Sequence, residues 1–105
     1  MFYVLNITEV VPGKMAEYNA LAQEMAPIND RLGFKRVVAM QPYTGNMNQL
    51  YTIFAYDDLA QEQRLREASS KDKDAQRIMQ AMNTLRASYS RIILESIPGR
   101  KQFKP

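Results

Sequence analysis

The chain has 105 residues, 46% hydrophobic and 24% charged, and reads as one globular domain with neither cysteine nor histidine. Those two absences exclude disulfides, thiol nucleophiles, the usual zinc and haem ligands and any Ser-His-Asp triad. Residues 1–99 hold 11 acidic and 11 basic side chains, so the net charge of +3 lies wholly in Arg100, Lys101 and Lys104, a solvated tail rather than a basic face.

Residues 2–10, FYVLNITEV, alternate as a first strand, with Tyr3, Leu5 and Ile7 on one face and Val4, Asn6 and Thr8 on the other. Pro12-Gly13 turns the chain. Met15, Tyr18, Leu21, Ala22, Met25, Ile28 and Leu32 then follow helical spacing, with a kink or break expected at Pro27 and a stop at Gly33. The methionines at 15, 25, 79 and 82 fall on helical stripes and read as core filler.

A second strand is predicted over 34–43, a hairpin turn at 44–46, and a third strand over about 47–56. Asp57-Asp58, with Gln61 three residues after Asp58, marks a helix start, and capping accounts for Asp58 without any catalytic carboxylate pair. SSKDKD interrupts that helix near Ala68. A second helical piece carries Ala75, Ile78, Met79 and Met82, and Asp72 and Asp74 read as solvated charges at its start. The last strand is predicted at about 87–96, before Pro98-Gly99.

Strand, helix, strand, strand, helix, strand is the order of an α+β, ferredoxin-like antiparallel sheet with its helices on one face. Residues 1–98 form the expected domain and 99–105 its basic C-terminal tail. The third strand is apolar on both faces, and the second offers Val37 and Ala39 on one side, Val38 and Met40 on the other. Helices cover one side only, so a second copy is expected on the open face, making a homodimer with a shared interior.

The sequence resembles the NIPSNAP branch of the dimeric α/β-barrel superfamily. The resemblance is carried by Tyr3-x-Leu5, Pro12-Gly13-Lys14, Leu32-Gly33, Gly45-Asn46-Met47-Asn48-Gln49, Ala55-Tyr56-Asp57-Asp58-Leu59, Arg64, Arg66 and Arg91. It implies a ferredoxin-like subunit whose sheet pairs with that of a second subunit, and it brings no settled reaction with it. Relatives often carry charged residues where this chain has Val4 and Asn6, His and Trp where it has Thr52 and Phe54, and Trp at Met40. An activity depending on that His is not expected here.

Asn48, Leu50, Thr52, Phe54 and Tyr56 alternate along one face of the third strand, and that face is expected to point away from the helices. With Val4, Asn6 and Met40 they form a candidate lining for a small, mostly apolar ligand, or they simply fill the interface between two sheets. Asn48-Gln49 also have a structural reading, satisfying backbone groups at the turn. Arg91 stands in a strand and, if it faces inward, requires a carboxylate partner or a weakly anionic ligand. Arg64 and Arg66 read as surface charges.

The function this supports is a homodimer that binds a small apolar ligand or plays an accessory part. The alternative is a cofactor-independent oxygenase or isomerase. No catalytic residue can be assigned, and neither cofactor nor metal is expected. RNA-recognition domains share the element order, yet Val4 and Asn6 stand where their first strand needs aromatic residues, and no nucleic-acid partner is expected. No apolar run reaches the ~18–20 residues of a membrane span. MFYVLNITEV lacks a basic n-region, so no membrane partner and a cytoplasmic location are expected.

Overall fold

The structure, a computed structural model, describes residues 1–99; Arg100, Lys101 and Lys104 of the tail lie outside them. Its elements are β1 (Phe2–Val10), α1 (Met15–Leu32), β2 (Lys35–Met40), β3 (Gln49–Tyr56), α2 (Leu59–Lys71), α3 (Lys73–Asn83) and β4 (Arg86–Glu95). The strands form one sheet in the order β2-β3-β1-β4, every neighbouring pair antiparallel. This is the α+β ferredoxin-like fold, with the second helical segment split in two. Among the described residues no helix is long and apolar enough to cross a membrane.

The core lies where α1 and α3 meet one face of the sheet. Val10, Tyr18, Met25, Ala75, Ile78 and Met82 form its buried cluster, and Met15, Leu21, Ala22, Ile28, Leu32, Leu50, Met79 and Leu85 pack around it. Burying a side chain such as Ile78 contributes about 1.5–3 kcal/mol, so these apolar stripes hold the helices to the sheet.

Pro27 does not break α1, which runs through it as one helix. Residues on both sides, Met25 before it and Ile28 and Leu32 after it, are anchored on the core. Pro27 and Gln23, whose carbonyl loses its donor, are both exposed residues. Gly33 then ends the helix in a left-handed conformation at φ 101°, donating its N–H to the Asn29 and Asp30 carbonyls.

The faces of the sheet are reversed from expectation. Val4 (2% exposed), Thr8 and Val10 of β1 are buried on the helix side. Their cross-strand partners on β3, Phe54 opposite Val4 and Leu50 opposite Thr8, share that side, as does Thr52 opposite Asn6. The face without helices carries Tyr3, Leu5, Ile7, Tyr51 and Ile53, with Ile92 and Leu94 of β4 opposite Leu5 and Tyr3. Both faces of β1 carry large apolar side chains, since Phe2, opposite Tyr56, shares the helix side with Val4. On that side Val10 joins Tyr18, Met25 and Met82 in the core cluster.

Met40 parts from its expected companions. The β2–β3 register shifts between Arg36 and Val38, so Val38 faces Ile53 and Met40 faces Tyr51 on the uncovered side. One extra residue in a strand turns everything beyond it over.

Candidate functional site

Inward of the end row of Tyr56, Phe2 and Glu95, three rows of side chains cross the helix side of the sheet. Phe54, Val4 and Ile93 form one, Thr52, Asn6 and Arg91 the next, and Leu50, Thr8 and Tyr89 the third. The middle row is polar across all three strands, so Asn6, Thr52 and Arg91 of the expected set come together. They do so beneath the helices rather than on the open face. Val4, Leu50 and Phe54 flank that row on the same side, as parts of the protomer's own interior. Met40 lies on the opposite face.

Over the polar row sits Glu62, which is 6% exposed and the one buried residue of α2. The Arg91 guanidinium donates a hydrogen bond to Glu62 Oε1, and Arg66 Nε lies 3.6 Å from the same oxygen. A lone buried carboxylate would be costly, and two guanidiniums offset that cost. The cluster as it stands carries one carboxylate and two guanidiniums, an excess of one positive charge.

Tyr56 closes one end of the site. Burial, followed by the negative charge of Glu62, pushes its phenol up to about 12, against the opposing pull of Arg91 and Arg66. At neutral pH it is a hydrogen-bond donor that does not surrender its proton. The Phe34 ring meets Phe54 edge-on at 6.1 Å between centroids and Tyr56 at 6.4 Å. Gly33 makes this wall possible: its left-handed turn lets the Phe34 N–H donate to the Asn29 carbonyl at 2.9 Å and aims the chain back over the sheet.

The other end is built on Tyr89, whose hydroxyl donates to Asn6 Oδ1 at 2.8 Å. The Arg86 guanidinium lies 4.7 Å from the Tyr89 ring centre and donates from Nε to the Tyr18 hydroxyl at 3.1 Å. Desolvation raises the Tyr89 phenol as well, with Arg86 and Arg91 acting against it. Among the described residues no buried side-chain nitrogen or oxygen lacks a hydrogen-bond partner.

Asn48 stays outside. Its carbonyl accepts from Val10 N–H at 2.8 Å and its own N–H donates to Asn46 Oδ1 at 3.0 Å, so it belongs to the hairpin. Asp58 caps α2, accepting from Gln61 N–H at 2.7 Å. Asp72, expected as a solvated charge, instead caps α3 through Ala75 N–H and holds Arg31 at 2.7 Å. Those two bonds, the backbone one first, hold its carboxyl below the usual range. Arg64 is exposed. Among the described residues there is no metal-binding group of three or more acidic side chains.

The residue that sequence reasoning missed is Glu62. Its signal was present: Glu62, Leu65 and Ser69 repeat at helical spacing, and none of the three is exposed. Arg91, if it faced inward, already called for a carboxylate or an anionic ligand.

The NIPSNAP family model matches residues 3–96. A NIPSNAP family protein from Agrobacterium tumefaciens is similar in structure, with a TM-score of 0.85 at 22% identity over 94% of this chain and 88% of its own. An uncharacterised NIPSNAP domain protein from Burkholderia xenovorans gives 0.85 at 16% identity, over 97% of this chain and 100% of its own. A structure described as an antibiotic biosynthesis monooxygenase gives 0.71 at 11% identity, over 93% and 100%, a likeness of fold. No curated protein matches the chain.

Proposed function

Because this chain belongs to the NIPSNAP family, we propose that it works as a homodimer whose uncovered sheet faces close on each other. Each protomer then holds a small, mostly apolar ligand with at most a weak negative charge against Asn6, Tyr56 and Arg91. The observation that carries the ligand reading is the buried Glu62 carboxylate shared by Arg91 and Arg66, one positive charge in excess, beside the Phe34–Phe54–Tyr56 wall. A few convergent polar groups against aromatic surface are the usual recipe for a small-molecule site. The cluster favours holding over turnover. Tyr56 keeps its proton up to about 12, so it is no ready base at neutral pH, and both Arg91 and Arg66 lie against the Glu62 carboxylate.

Native mass spectrometry of gently purified protein tests this. The expected result is a mass of two chains with an added small molecule, and Arg91→Met keeps the dimer while losing the addition. A bare dimer that acquires no small molecule from a metabolite extract would overturn the ligand half, and a monomer would overturn the other.

A further inference from the structure

We infer that Glu62 occupies the anion position of the site, and that the ligand is an aromatic monocarboxylate that takes its place on Arg91 and releases α2. This deepens the small-ligand reading above and rests on it.

Three observations meet here. First, α2 is held to the body by little apolar surface. Its buried residue is Glu62, Leu59 at its start is 47% exposed, and the ion pair to Arg91 ties it to β4. Leu65 is its one half-buried large apolar side chain, set beside Gly33, and a helix with so little buried apolar surface opens at lower free energy than one anchored by a core stripe.

Second, the charges balance for one added carboxylate. Arg66 lies one turn from Glu62 on the same helix and is already 3.6 Å from its oxygen. When an incoming carboxylate takes the Arg91 guanidinium, Glu62 moves wholly to Arg66. Two guanidiniums then face two carboxylates, where the ligand-free cluster has two against one. A doubly charged group would overshoot that balance. A planar carboxylate copies the group it displaces and accepts from the fork of Arg91.

Third, the wall next to the pair is aromatic. Phe34 stands edge-on to both Phe54 and Tyr56, leaving ring faces and edges for a further ring to pack against. Tyr56, un-ionised at neutral pH, adds a donor and no negative charge to repel a carboxylate.

Benzoate and benzyl alcohol share a ring and differ in charge, so titration of the wild-type protein with each, followed by NMR, isolates the anion position. Benzoate is expected to bind about tenfold or more tightly than benzyl alcohol, one charge-assisted bond of about 1.4 kcal/mol or above. Glu62→Gln, which removes the competing charge and keeps the side-chain shape, tightens benzoate further, and Arg91→Met abolishes the preference. Equal binding of the two probes overturns this inference and leaves the small-ligand reading standing. Binding of neither, by wild type or Glu62→Gln, overturns both. The comparison on wild type needs no variant to fold.

Discussion

Tyr56 is an acid whose folded value, about 12, lies above its ordinary 10.0. Below pH 10 the phenol is protonated in both folded and unfolded chains, and its contribution to stability is whole. Between about 10 and 12 the unfolded chain loses the proton first, so stability falls as pH rises through that window. Tyr56→Phe is therefore expected to flatten the alkaline decline of melting temperature and to remove the most alkaline phenolate transition in the ultraviolet. An unchanged alkaline profile in Tyr56→Phe would contradict the burial assigned to this hydroxyl. At this scale the sequence was half legible. Arg91 in a strand, if it faced inward, called for a carboxylate or an anionic ligand, and its guanidinium meets Glu62. Glu62 stands in a polar helix, QEQRLRE, where one more acid does not stand out and only its helical spacing with Leu65 and Ser69 marks the inward face.

Among elements, α2 is the weakly held one, and its start depends on Asp58, whose carboxylate accepts from Gln61 N–H at 2.7 Å. Asp58→Ala is expected to cost about 1 kcal/mol in urea unfolding. It should also raise hydrogen exchange in α2 while α1 and α3, which share the core cluster, keep theirs. Loss of protection spread evenly over all three helices would mean that α2 is no separate unit. The order and type of elements were readable from periodicity, caps and turns, because each signal is local. The facing of the strands was not. Both faces of β1 and β3 are apolar enough to be a core, and the choice is made by contacts with α1 and α3, far away in the sequence. Nor does any residue in KRVVAM mark the register shift that carries Met40 to the other side.

For the whole molecule, the outstanding feature is the bare face, with Tyr3, Leu5, Ile7, Tyr51 and Ile53 at its centre and Met40, Ile92 and Leu94 towards its edges. Met40 is 50% exposed and Ile92 and Leu94 43% each, and a contiguous uncovered apolar face is the kind of surface that a partner covers. The adjacent residues Ile53 and Phe54 point to opposite sides, so the same substitution at each has opposite consequences. Phe54→Asp places a charge between sheet and helices and is expected to unfold the protomer itself, by several kcal/mol. Ile53→Asp places it in water on a single protomer and between sheets in a dimer. The sequence alone put Phe54 on the open face, and the structure puts Ile53 there instead.

The most direct measurement is sedimentation equilibrium of wild type and Ile53→Asp at micromolar concentration, with circular dichroism to confirm that both are folded. The account predicts a mass of two chains for wild type and of one chain for a folded Ile53→Asp. A wild type that sediments as a single chain, or an Ile53→Asp that remains a full dimer, would contradict it.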